Sequence, residues 1–453
     1  MAKKPAPRFV CTNCGAVTAA WAGRCAQCGE WNTLQEELAA PAVMVSGGRL
    51  AAQGTVLQPE AVKSVITKDQ PRIASGMADV DTVLGGGLVP GSVVLLAGQP
   101  GIGKSTLLLQ VTYAIAAKHS VLYVSAEESL HQVGLRAARL GAQRGQLQLA
   151  TSTSADDIAA TIASGTFDMV VVDSIQTVAC SNVGSAPGTV SQITNSTNIL
   201  MQAAKLSGTA LIIVGHVTKE GTIAGPKVLE HVVDVVLQLE GDRYGGFKIL
   251  RAIKNRFGST SEAGIFEMAD AGLQAVQNPS AALLAERQDS DGSVVLATLE
   301  GTRPLLVEVQ ALVNRTSYGY PKRTASGIDL NRLNLLVAVL EKRTKLQLAD
   351  QDIYINIVGG IRITEPAADL AICLAIGSAA RGLQLRGQAV VFGEVGLSGE
   401  VRHVPFAEKR IQEAAKLGFD TAIGPVQRSG KKLAGLQGVS DVRTALNTFL
   451  QKD

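Results

Sequence analysis

Val93-Val94-Leu95-Leu96-Ala97-Gly98-Gln99-Pro100-Gly101-Ile102-Gly103-Lys104-Ser105-Thr106 is the stretch on which the fold turns. Val93–Ala97 reads as a buried strand, the glycine-rich segment after it as a tight loop, and Lys104–Ala117 as a helix. A phosphate site needs this order. Small residues at Gly98, Gly101 and Gly103 let backbone N–H groups wrap the phosphates, and the helix N-terminus favours negative charge. Lys104 then reaches the β and γ oxygens, Ser105 can bind Mg2+, and Thr106 assists near the α-phosphate. ATP and Mg2+ are therefore the expected ligands.

Working outward, apolar runs at Val121–Ser125, Met169–Asp173 and Ala210–Val214 repeat the strand pattern. Leu130–Leu140, Ala155–Ser164 and Gln192–Leu206 fill the intervals as helices. Alternation of this kind implies an α/β fold with a mostly parallel sheet covered on both faces. It runs over residues 71–275. Beyond 276 the order changes to two strands, a helix, and further strands and helices, which marks a second α/β domain to residue 453. Residues 36–70 lack periodicity and read as a linker.

Two carboxylates stand at strand ends beside the loop. Asp173 closes Met169–Asp173, where an acid can hold the water shell of Mg2+. Glu127 and Glu128 follow Val121–Ser125, and either could orient or deprotonate an attacking water. His216 closes the next strand and lies where a γ-phosphate sensor would sit.

Cys11-x2-Cys14 and Cys25-x2-Cys28 are each followed by a glycine. Two such turns complete a tetrahedral four-thiolate Zn2+ site with no open position, in a finger spanning residues 1–35. Trp21 and Trp31 beside the knuckles read as mini-core or partner-contact residues. Cys180 and Cys373 lie alone and read as ordinary small residues.

A chain of 453 residues, 46% hydrophobic and 18% charged, has enough apolar material for two or three cores, which excludes wholesale disorder. A net charge of +3 neither demonstrates nor excludes nucleic-acid binding, because local basic surface decides that. Met1–Arg8 is basic with no apolar run behind it, so no secretory signal is read. No membrane span is expected either, and the protein is expected in the cytoplasm.

Gly98–Thr106, Ser125-Ala126-Glu127, the Asp173 strand and Lys254-Asn255-Arg256-Phe257-Gly258 together resemble the RecA-type ATPase core. With the four-cysteine finger in front and the α/β domain behind, the order resembles the bacterial RadA (Sms) family over nearly the whole chain. The resemblance implies that Glu127 activates water, that His216 is the sensor, and that Lys254 and Arg256 reach a neighbour's nucleotide. It also implies a homohexameric ring that moves on single-stranded DNA and extends branched recombination intermediates, with a recombinase or a replicative helicase as partner. Ser181–Thr189 and Thr218–Lys227, the latter with Lys219 and Lys227, are the loops that would face DNA.

Residues 276–453 resemble the Lon protease proteolytic domain, which uses a serine–lysine pair. Ala367 falls at the serine position and Arg410 at the lysine position, so both halves of that pair are missing. The expectation is a DNA-directed ATPase that is not a protease. An ATP-dependent protease and a RecA-like signalling ATPase that binds proteins are the alternatives.

Overall fold

The computed structural model describes residues 8–11, 17–18, 20–27, 29–31, 33–37, 71–141, 147–216, 228–241, 246–317, 319–427 and 433–451. Cys14, Cys28, nearly all of the 36–70 linker and the whole of Thr218–Lys227 lie outside the described residues. The chain packs as two compact units. One comprises residues 1–100, 104–237 and 253–258, the other residues 101–103, 238–252 and 259–453.

The finger is a three-stranded antiparallel sheet in the order Val17–Thr18, Arg8–Cys11, Leu34–Glu37. Cys11, Cys25 and Leu34 form its small core with Phe9. Trp21 and Trp31 are 59% and 67% exposed, so neither belongs to that core.

The rest of the first unit is built on parallel strands. From one edge inward they run Leu147–Thr151, Val121–Ser125, Met169–Asp173, Ala210–His216 and Val93–Gly98. Val93–Gly98 and Val121–Ser125 are buried along their whole length, as strands covered on both faces must be. Leu147–Thr151 escapes the apolar-run criterion because, as the edge strand, it is only partly buried and carries polar residues. The covering helices start where hydroxyl caps stand. Ser129 makes a reciprocal capping box with Gln132, while Ser154 and Thr189 accept from the backbone N–H groups of Asp157 and Gln192. Gly208 ends the long helix Val190–Ser207 in the left-handed conformation that glycine adopts at least cost.

The antiparallel run Lys248–Asn255, Ala263–Ala269, Gly272–Ala275 belongs to the second unit except for residues 253–255, which belong to the first. The second unit also holds a seven-stranded mixed sheet ordered Arg323–Ser326, Gln351–Ile357, Arg303–Arg315, Ser293–Glu300, Ala389–Val391, Thr421–Pro425, Leu436–Val439. The helix Asp369–Arg381 is buried from Asp369 to Ser378 and lies at the centre of the unit's largest core. Leu436–Val439 and the helix Val442–Phe449 follow the last strand read from the sequence. The strand is short, with a glycine inside it, and so carries little periodic signal. Among the described residues, no helix is long and apolar enough to cross a membrane.

Candidate nucleotide site

The loop after Val93–Gly98 owes its shape to glycine. Gly101 and Gly103 have φ of +78° and +113°, in the region that L side chains avoid. Lys104 opens the helix Lys104–Ile115 and is only 5% exposed. Its Nζ donates to Gly98 O at 2.9 Å and Gln99 O at 3.0 Å, and lies 3.1 Å from His216 Nδ1. Burial lowers its pKa to about 8, against the opposing pull of Asp173 and Glu127. The ammonium is thus curled onto its own loop, next to open carbonyls and within the field of two acids. Those are the surroundings from which an anionic phosphate could draw it.

The neighbouring strand ends bring the other groups together. His216 Nε2 lies 3.4 Å from Glu127 Oε1, so the imidazole bridges Lys104 and Glu127. The buried Ser174 hydroxyl donates to the same Glu127 oxygen. Glu128 turns the other way and pairs with Arg136 at 2.6 Å, while Ser125 Oγ accepts from its backbone N–H. Of the two glutamates, Glu127 is therefore the one that meets His216 and Ser174. Asp173 Oδ2 accepts a 2.5 Å hydrogen bond from Tyr123, whose phenol burial, then Asp173, push well above its ordinary pKa. The fit to a magnesium nucleotide rests on three features: the positive-φ glycine loop, the retracted Lys104, and the acid Asp173 at the end of the parallel strand beyond Ala210–His216.

Lys254 and Arg256 are not part of this cluster. Lys254 Nζ donates to the carbonyls of Glu230 and Val233, both at 2.7 Å, and to His231 O at 3.4 Å. Burial, then the Arg256 cation, lower its pKa. Arg256 Nη1 donates to Asp234 Oδ1 at 3.0 Å. Asp234 is 4% exposed, and its Oδ2 accepts from Val93 N at 3.1 Å while its own N–H donates to Val93 O at 3.0 Å. Asp234 is therefore fixed to the first residue of the strand whose last residue, Gly98, touches Lys104. That strand has six residues, which puts roughly 16 Å between its ends at about 3.3 Å per residue. Asn255 and Gly258 form a tight exit. Asn255 reaches Val83 O at 3.2 Å, and a Cβ on Gly258 would stand 2.9 Å from Gly85 Cα.

In the finger, Cys11 and Cys25 are both 2% exposed, and Gly29 has the φ of +77° expected after a knuckle. The two described thiols suit a soft metal ion. In the second unit, Ala367 is buried and Arg410 is wholly buried. The Arg410 guanidinium pairs with Glu365, donates to Ala297 O at 2.7 Å and Pro405 O at 3.3 Å, and lies 5.7 Å over the Phe392 ring. Arg410 is thus a buried cation locked to a carboxylate, and the Ala367 side chain carries no nucleophilic atom. Tyr123, Ser174 and Asp234 are the site residues that sequence reasoning did not single out. The available hint was a lone phenol in the strand Val121–Ser125.

A glycine-rich phosphate loop between strand and helix, with an acid closing the parallel strand one place removed from it across Ala210–His216, defines a RecA-like P-loop ATPase. The family described as AAA domain matches residues 61–222, rubredoxin metal binding domain residues 9–36, and subunit ChlI of Mg-chelatase residues 334–428. The DNA repair protein RadA of Bacillus subtilis (strain 168) is 49% identical, covering 99% of both chains. Those of Pseudomonas aeruginosa and Escherichia coli (strain K12) are 48% and 45% identical, over 96% and 99% of both chains. A crystal structure of the RadB recombinase covers 45% of this chain and 100% of its own at 21% identity and a TM-score of 0.36, too low to carry an argument. The chain belongs to the RadA family of DNA repair proteins.

Proposed function

We propose that this chain is a DNA-dependent ATPase that acts as a homohexameric ring on single-stranded DNA, promoting branch migration and processing of recombination intermediates in repair. One observation carries the ring. Lys104, Glu127, Asp173 and His216 gather at one end of the central strand, while Lys254 and Arg256 are held roughly 16 Å away at the other, beyond the reach of either side chain. Cations placed there can serve a phosphate only in an adjoining copy, as a trans-acting arginine does.

Within one subunit, Gly98, Gly101, Gly103 and Thr106 would hold the phosphates by their backbone N–H groups, with Lys104 on the β and γ oxygens. Ser105 and Asp173 would hold Mg2+, which supplies charge neutralisation on the transferring phosphoryl group. Glu127, steadied by Ser174, would orient the attacking water and accept its proton. His216, which touches both Lys104 and Glu127, would report whether a γ-phosphate has displaced Lys104 from its carbonyls. Cys11, Cys14, Cys25 and Cys28 would hold Zn2+ as a structural ion. The division we adopt is finger 1–35, linker 36–70, ATPase 71–275 and a Lon-protease-like domain 276–453 without a catalytic dyad, serving assembly and DNA binding. A recombinase or replicative helicase is the expected partner.

The deciding measurement is the ATPase rate with and without single-stranded DNA, with casein as a control substrate. Stimulation by DNA and intact casein support the motor. A rate indifferent to DNA would replace it with a protein-directed signalling ATPase, and casein cleavage would replace it with a protease.

A further inference from the structure

Tyr123 is 2% exposed in a strand that is otherwise Val, Leu and Ser. A buried phenol needs a partner for its hydroxyl. Here the partner is a side chain of the nucleotide site: it donates to Asp173 Oδ2 at 2.5 Å. On the reading above, Asp173 is one of the two residues that hold the metal. The phenol's single proton is committed to one carboxylate oxygen, which leaves the other as the one available to a metal or its water.

That restriction matters for metal choice. Mg2+ dehydrates reluctantly and keeps several waters, so an acid with a single free oxygen suits it. Larger, more pliant cations gain from carboxylates that can ligate directly or with both oxygens. We infer that Tyr123 is a positioning residue that sets the metal preference of this nucleotide site, favouring Mg2+ over Mn2+ by occupying Asp173 Oδ2. This rests on the assignment of Asp173 to the metal.

Tyr123→Phe in the full-length protein removes the hydroxyl and keeps the ring. The test is the affinity for a non-hydrolysable ATP analogue in Mg2+, in Mn2+ and in EDTA, with Mn2+ binding followed in parallel by electron paramagnetic resonance. The Mg2+-supported affinity should fall about tenfold, as removing a group that orients a metal ligand does. The Mn2+-supported and metal-free affinities should stay close to wild type. Because the ratio between two metals is taken within one protein, partial loss of fold cancels. An equal loss in all three conditions, or no loss in any, overturns the inference. Asp173→Asn is measured alongside. If it keeps the wild-type metal dependence, the metal assignment itself is wrong. If it loses that dependence while Tyr123→Phe follows wild type, only the role of Tyr123 is wrong.

Discussion

Lys104 has its pKa lowered to about 8 by burial, which makes nucleotide binding a proton-linked event. Phosphates beside the ammonium raise its pKa in the complex above that of the empty site. The sign follows: binding is fully supported below about pH 8, and between the two pKa values it draws in a proton and weakens as pH rises, by up to about tenfold per unit. Calorimetry in two buffers of different ionisation enthalpy should therefore report proton uptake at pH 9 and none at pH 6.5. Lys104→Arg, whose charge is permanent, should abolish the uptake. The pair Glu127 and Glu128 gives a second prediction. Glu127→Gln should lower turnover about 10²–10⁴-fold with nucleotide affinity retained, the usual worth of a general base. Glu128→Gln loses only the partly exposed pair with Arg136, a contribution of about 1 kcal/mol or less, and should turn over like wild type. Single-turnover rates of the two variants decide between them.

At the scale of elements, the helix Ala407–Lys416 buries Ala407 and Ala414 together with one charged side chain, Arg410. Arg410 reaches Glu365, Ala297 O and Pro405 O, while Glu365 also accepts from Thr298 Oγ1 at 2.8 Å and Leu299 N at 3.0 Å. Removing the cation leaves the carboxylate without its charge partner, which costs about 3–5 kcal/mol in comparable pairs. Those two remaining bonds place Arg410→Met at the lower end. Adding Glu365→Leu removes the stranded charge, so denaturant titration should find the double variant more stable than Arg410→Met alone. The finger is an element of another kind. With Cys11, Cys25 and Leu34 as its described core, it has too little apolar area to fold unaided. Cys28→Ser should therefore lose bound zinc and unfold the three-stranded sheet while basal ATPase activity persists. Metal analysis with a parallel rate measurement tests this, and stoichiometric zinc in the variant would contradict four-thiolate binding.

The prediction for the whole molecule concerns subunits acting on one another. Lys254→Ala and Lys104→Ala proteins, each weak alone, should partly recover DNA-stimulated hydrolysis when mixed, since some interfaces then combine an intact Lys104 with an intact Lys254. The cis contacts of Lys254 with three carbonyls and of Arg256 with Asp234 describe where these cations rest in a single chain. In a ring they would exchange those partners for a neighbour's phosphate. Failure to recover in rings proven to be mixed would confine Lys254 to its own subunit.

Sequence by itself determined the elements whose cause is local. The strand Val93–Gly98, the glycine loop, the helix after it and the acid-ended strand Met169–Asp173 each follow from residues adjacent in the chain, through periodicity and backbone freedom. That residue 367 is an alanine and residue 410 an arginine is equally a matter of sequence. Tertiary structure alone decided the rest. Nothing near Val93 announces that Asp234, 141 residues later, will accept its N–H and so anchor Arg256 at the far end of the central strand. Nothing near Glu127 announces that it, rather than Glu128, meets His216, 89 residues on, and Ser174. Tyr123 reads as one more apolar strand residue until the parallel register sets its strand beside Met169–Asp173 and brings its hydroxyl to Asp173. Pairing between distant strands is set by burial of whole faces, which periodicity reports. Which polar atoms then meet across those strands is a consequence of register and packing, and it leaves no local trace in the sequence.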